Sequence, residues 1–173
     1  MDDPVILDGF TVLLDIDGVL TDGTILVDDE GREHKRISFD DIDAIFRLKR
    51  AGARVGFITG ERGGFCDYVE RRFNPDIMIA GCKDKLSAYK GLIAEGKVAA
   101  DKVCFVGDSL HDVPLLRAIE HSFVPADVPP DVLASARYVL GGNRGRGAIR
   151  ALARHLLGEE DAIMTTDERG GGH

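Results

Sequence analysis

Apolar runs of four or five residues recur along this chain at spacings that leave room for one helix between each pair. Phe10–Leu14 is the first, followed by Arg54–Ile58, Asp76–Ala80, Lys102–Val106, His121–Val124 and Arg137–Leu140. Such runs predict buried strands. Between them the apolar residues change to helical spacing. Ile42, Ile45, Phe46 and Leu48 share one face of a helix that stops at Gly52, and Phe65, Val69 and Phe73 form an i, i+4, i+8 stripe. Leu86, Tyr89 and Ile93 precede Gly96, and Ile149, Leu152 and Leu156 supply a last stripe. Strand–helix alternation of this kind predicts an α/β fold with a doubly wound parallel sheet. One segment breaks the rhythm. Thr24–Val27 and Lys35–Phe39, joined at Asp29–Gly31, read as the arms of a β-hairpin directly after the first strand. No later insertion is large enough for a separate lid. Residues 1–157 are expected to form one domain, and the acidic, glycine-rich tail 158–173 is expected to fray.

Composition narrows the class without naming a chemistry. At 173 residues and 18.8 kDa, with 44% hydrophobic residues and a mean hydropathy near zero, the chain can bury a full core. No run approaches the length of a membrane span. The N-terminus MDDPVILDGF lacks the basic region of an export signal, and Cys66, Cys82 and Cys104 show no metal-ligand spacing. A cytoplasmic protein with reduced thiols is expected. The net charge of −8 argues against a nucleic-acid partner, and an anionic substrate requires cations gathered locally.

The candidate chemistry lies at the ends of the predicted strands. LLDIDGVLTDG places Asp15 and Asp17 immediately after the first apolar run, with a turn at Gly18. Acids at the carboxyl edge of an open sheet stand where such folds place their sites. A strand-end aspartate capping a turn is the simpler reading of either acid alone. FITGE puts Thr59 and Gly60 where a strand meets a helix, suited to an anion cradle or to a cap. GCKDKL offers Lys83 and Lys85. A cation in the first turn of a helix opposes the macrodipole and is expected to face an anion, but spacing does not choose between the two. In GDSLHDVPLL, Asp108 ends a strand, and Asp112 opens a helix with the spacing of a cap to Ser109. Parallel neighbours would bring Asp108 to the edge that holds Asp15 and Asp17. Several carboxylates with few nitrogen or sulfur ligands select a hard divalent ion, most naturally Mg2+.

These four stations, in this order, resemble the motifs of the haloacid dehalogenase superfamily over residues 10–157. The resemblance implies Asp15 as a nucleophile that forms an aspartyl-phosphate, and Asp17 as general acid and then base. It implies Thr59, Gly60 and Lys85 as phosphate-binding residues. Asp15, Asp108 and the main-chain carbonyl of Asp17 would be metal ligands, with Asp112 in support. DGVLTDG, the hairpin, GCKDKL, GDSLHDVPLL and GRGAIR (145–150) look more narrowly like the capless phosphatases of 3-deoxy-2-keto sugar acid phosphates. That group contains 3-deoxy-D-manno-octulosonate 8-phosphate phosphatases and nonulosonate 9-phosphate phosphatases. The resemblance implies a homotetramer in which the hairpins pack together, a neighbouring subunit covers the site, and the Arg146 region and tail reach it.

Two departures bear on the substrate. Ser109 stands where a second acid often follows the metal-binding aspartate. Glu61 stands where octulosonate enzymes have arginine and nonulosonate enzymes have glutamate. A carboxylate there favours hydroxyl-rich leaving groups and disfavours a second acid unless a cation such as Arg72 compensates. This leans toward a nonulosonate phosphate, against which Val69 replaces a cationic residue of those enzymes. The alternatives are a non-catalytic oligomerisation module, like the related domain of acylneuraminate cytidylyltransferases, and a phosphotransferase, for which no lid excludes water.

Overall fold

The computed structural model describes residues 6–159 and 163–166. In chain order the elements are β1 (Thr11–Leu14), β2 (Leu26–Val27), β3 (Glu33–His34), α1 (Phe39–Arg50), β4 (Arg54–Ile58) and α2 (Gly64–Phe73). There follow β5 (Ile77–Ile79), α3 (Lys85–Ala94), β6 (Val103–Val106), α4 (Val113–Ala118), β7 (His121–Val124), α5 (Pro130–Leu133), β8 (Tyr138–Leu140), α6 (Ala148–Leu156) and β9 (Ile163–Thr165). The main sheet has the order β5-β4-β1-β6-β7-β8-β9 and is parallel except for β9. β1 is central, with Leu14 opposite both Phe57 and Val106. The order reverses beside β1, and the carboxyl ends of the strands flanking such a switch point form a crevice.

Each sheet face carries its own apolar layer. Val12, Leu14, Val55 and Phe57 pack under α1, α2 and α6 through Ile45, Leu48, Val69, Phe73 and Leu152. Leu13, Ile58, Val103 and Phe105 face the other way, toward Leu92, Leu115 and Val132. A central strand that is apolar on both faces explains the unbroken run TVLL. One long-range cap joins α1 to α6 within the first of these layers. The buried Asp41, in the first turn of α1, accepts hydrogen bonds from Gly147 N (2.9 Å) and Arg150 N (2.9 Å), satisfying donors at the start of α6.

Two expectations need correcting. The hairpin ladder pairs Leu26–Val27 with Glu33–His34, ahead of the expected Lys35–Phe39, within which Ile37 makes an isolated antiparallel bridge to Thr21 and Phe39 already begins α1. The Asp28 carboxylate sets this register by accepting from Glu30 N (3.0 Å) and Arg32 N (2.8 Å), which makes 28–32 the turn. The tail expected to fray contributes β9, antiparallel to β8, while 160–162 and 167–173 lie outside the described residues. Among the described residues no cap domain is present, and no helix is long and apolar enough to cross a membrane.

Candidate active site

The parallel ladder continues one residue past β1, because Asp15 N donates to Val106 O at 3.0 Å. That bond fixes Asp15 at the carboxyl edge, and its Oδ1 accepts from Ile16 N at 2.7 Å. The chain then makes one irregular turn, Ile16–Leu20, with Gly18 at φ +86°. A side chain is excluded there twice over. Its φ is left-handed, and a β-carbon would stand 1.8 Å from Asp108 Oδ2. The turn therefore brings the backbone after Asp17 directly against Asp108.

Lys85 begins α3 behind the capping Asp84, whose carboxylate accepts from Ser87 N. Its Nζ lies 2.9 Å from Asp15 Oδ2 and 2.6 Å from Asp112 Oδ1. The structure thus decides between the two lysines: Lys85 is buried at the base of the site, and Lys83 lines its exposed rim. Asp112 does not cap α4 with its side chain. Its Oδ2 accepts from Asp108 N, Ser109 N and Ser109 Oγ, each at 3.0 Å, so it secures both the 108–109 turn and Lys85. Thr59 N extends the β4–β5 ladder by donating to Ile79 O (2.9 Å), and its buried hydroxyl accepts from Glu61 N (3.2 Å).

Asp15, Asp108 and Asp112 present carboxylate oxygens within 4.8 Å of one another. Three carboxylates against one ammonium leave an excess of two negative charges when all are ionised. Burial, and next the charge of Asp112, raise Asp15 to about 8; the same two causes raise Asp108 to about 7. Burial works against the charge on Lys85, but Asp15 and Asp112 outweigh it and hold Lys85 above its ordinary value. Among the described residues, Asp108 Oδ1 is the buried side-chain oxygen without a hydrogen-bond partner. An all-oxygen cluster with surplus negative charge and an orphaned carboxylate oxygen fits a hard divalent cation. Asp112 is saturated by its donors, so Asp15 and Asp108 are the side chains available to such an ion.

A cavity of about 560 Å³ opens above this cluster, and Thr59, Gly60, Glu61, Lys83, His111 and Arg144 are among its walls. Asp17 faces it too, with Lys35 Nζ at 2.8 and 2.9 Å from its two carboxylate oxygens and Thr21 Oγ1 donating at 3.3 Å. The structure therefore brings Asp15, Asp17, Thr59, Gly60, Glu61, Lys85, Asp108 and Asp112 together. It does not bring Arg72 or Arg146 to this cavity. Arg72 lies over the Phe46 ring, 6.0 Å from its centroid, and Arg146 lines a separate depression with Arg150. Two cations at the site were not singled out in the sequence, Lys35 and Arg144. Lys35 falls within the expected hairpin arm, and Arg144 lies two positions before Arg146.

Comparison with known proteins agrees with this architecture. A model of the haloacid dehalogenase-like hydrolases matches residues 67–152. The chain is 31% identical over 152 residues to the 3-deoxy-D-manno-octulosonate 8-phosphate phosphatase of Yersinia pestis, covering 88% of this chain and 81% of that protein. The cobalt-bound deoxy-D-mannose-octulosonate 8-phosphate phosphatase of Haemophilus influenzae superposes with a TM-score of 0.80 at 28% identity, covering 88% of this chain and 90% of that one. The Moraxella catarrhalis 3-deoxy-D-manno-octulosonate 8-phosphate phosphatase, solved with magnesium ion, phosphate ion and KDO, gives 0.81 at 25% identity, covering 91% and 90%. By sequence, fold and the strand-end acids together, the chain belongs to the haloacid dehalogenase-like hydrolases and is a capless phosphatase of the kind those relatives represent.

Proposed function

We propose that the protein hydrolyses the phosphate monoester of a 3-deoxy-2-keto sugar acid by way of an aspartyl-phosphate on Asp15. The observation that carries this reading is the Lys85 ammonium held between Asp15 and Asp112 at the floor of the cavity. A carboxylate of Asp15 forms the new bond to phosphorus while the ester P–O bond breaks. Asp17, at the cavity wall, gives its proton to the departing sugar oxygen. In the second step the Asp17 carboxylate takes a proton from water, whose oxygen displaces Asp15 from phosphorus and releases inorganic phosphate. Thr59, Gly60 and Lys85 orient the phosphoryl oxygens. Asp15, Asp108 and the main-chain carbonyl of Asp17 would hold Mg2+, which when bound neutralises phosphoryl charge.

The curated relatives make octulosonate 8-phosphate the first substrate to assay. Glu61 on the cavity wall favours a second reading, nonulosonate 9-phosphate. Purified protein assayed on both esters with Mg2+ and with chelator separates them, and a kcat/KM about tenfold higher on the octulosonate ester rejects the nonulosonate reading. Asp15→Asn is expected to abolish turnover, and full activity in that variant rejects the nucleophile. The homotetramer belongs to the same proposal. Exposed Ile25, Leu26 and Val27 on the hairpin support it, and sedimentation equilibrium tests it. Free thiols at Cys66, Cys82 and Cys104 agree with a reducing cytoplasm.

A further inference from the structure

The cavity that takes the leaving group has an unbalanced wall. Glu61 contributes a carboxylate to it, and the arginine expected to compensate, Arg72, lies elsewhere. Lys85 lies at the cavity floor between Asp15 and Asp112, where the reading above places the phosphoryl group. Lys83 is an exposed residue at the rim of the cavity. Arg144 is different. Its backbone N–H donates to Asp127 Oδ1 at 2.8 Å, and its Nε donates to Asp127 Oδ2 at 3.4 Å. The next residue, Gly145, ties the loop to the catalytic turn through its N–H to Val19 O (3.2 Å). With backbone and Nε both fixed, the terminal nitrogens point into the cavity. Nη1 makes a long ion pair with Asp108 Oδ2 at 3.8 Å, beyond hydrogen-bond reach, and among the described residues the terminal nitrogens donate no hydrogen bond. The side chain is one-third exposed. A planar fork anchored at Nε, whose outer nitrogens make no hydrogen bond among the described residues, suits bidentate capture of an oxyanion.

We propose that Arg144 is the specificity residue that binds the carboxylate of the leaving sugar acid, offsetting Glu61 in the same cavity. This rests on the reading of the substrate as a sugar acid phosphate. Two oxyanions of such a substrate could meet the fork, the carboxylate and the phosphoryl group. The phosphoryl group has its own partners in Thr59, Gly60 and Lys85, which leaves the carboxylate for Arg144.

The test compares octulosonate 8-phosphate with its C1 carboxamide, an ester of nearly equal shape without the charge. The wild type, Arg144→Ala, Arg144→Lys and Lys83→Ala are each assayed on both, and inorganic phosphate is measured as an inhibitor. The wild type is expected to prefer the acid by about tenfold or more in kcat/KM. Arg144→Ala is expected to lower kcat/KM on the acid by about tenfold more than on the carboxamide, with the excess loss in KM, and to leave inhibition by phosphate unchanged. Arg144→Lys restores part of the preference. Equal losses on both esters, or weakened phosphate inhibition, overturn the proposal in favour of a phosphoryl contact. Preference surviving in Arg144→Ala, or lost in Lys83→Ala instead, also overturns it. A wild type that discriminates while Arg144→Ala still does fails this inference alone. A wild type that hydrolyses neither ester, or shows no preference, fails the sugar-acid reading and this inference with it.

Discussion

Gly18→Ala isolates how the catalytic turn shapes the acidic cluster. Two effects act on the new methyl group. The first is backbone strain, since φ is +86° and an L-residue there costs about 1–2 kcal/mol. The second is collision, because the β-carbon would lie 1.8 Å from Asp108 Oδ2 and 2.2 Å from its Cγ. Ordinary contact requires Asp108 or the turn to give way by about 1 Å or more, a misplacement that costs on the order of 100-fold where reacting groups are positioned. Gly31→Ala is the matched control. Its φ is +77°, yet a β-carbon there meets nothing within 4 Å. The control carries the strain without the collision. It should lower the thermal midpoint by no more than about 2–8 °C and leave activity unchanged, given about 2–4 °C per kcal/mol for a chain of this size. Gly18→Ala should match that loss of stability or exceed it, weaken Mg2+ binding by at least about tenfold in calorimetry, and lower kcat by about 100-fold. If the two variants bind Mg2+ equally well and turn over equally fast, the packing of this turn on Asp108 does not shape the ion site.

Three further outcomes follow from other contacts. In the ion-free protein Asp15 is raised to about 8 and Asp108 to about 7, so the folded state binds more protons than the unfolded one above the ordinary value of 3.8. Their contribution to stability is greatest at the acid end and is lost as pH rises through about 7 to 8. Thermal melts with chelator and with Mg2+ should show a larger stabilisation by the ion at about pH 8 than at about pH 5.5, where it must displace these protons; equal shifts contradict the assignment. Lys35→Met removes both contacts to Asp17 and should lower kcat about tenfold with KM little changed, while an unchanged kcat leaves Lys35 without a part in positioning Asp17. Asp41→Ala strips the buried acceptor from Gly147 N and Arg150 N and should cost about 2–3 kcal/mol in denaturant melts; a loss below about 1 kcal/mol shows that water replaces the cap.

What was legible in the sequence divides along a physical line. β4 and β7 have the expected bounds, and the other core strands begin or end within a residue of theirs, because a buried parallel strand must be apolar throughout. The acids were legible for a related reason. A strand that stops at a carboxylate and turns on glycine is a local pattern, and Asp15–Gly18 and Gly107–Asp112 are both complete within a few residues. The hairpin register was not local in this sense, since it depends on one side chain, Asp28, reaching its own turn and displacing the arm that alternation suggested. β9 was hidden because three residues carry too little pattern and gain their partner only from the edge of β8.

The cations of the site obey a different rule. An ammonium or guanidinium on a long stem can reach a carboxylate from any nearby element, so its position in the sequence carries little information. Lys35 reaches Asp17 across 18 positions, and Arg144 reaches Asp108 across 36. Neither pair shares a helix or a strand, so no periodicity relates its members. Arg72, expected as a cation offsetting Glu61, and Arg146, expected by resemblance, do not line this cavity. The reaction is therefore encoded where the backbone must turn, and can be read from short motifs. Selection of the leaving group is encoded in which distant loop delivers a charge to the cavity. That is a property of the fold, and here it brings Glu61 and Arg144 to the walls of one cavity.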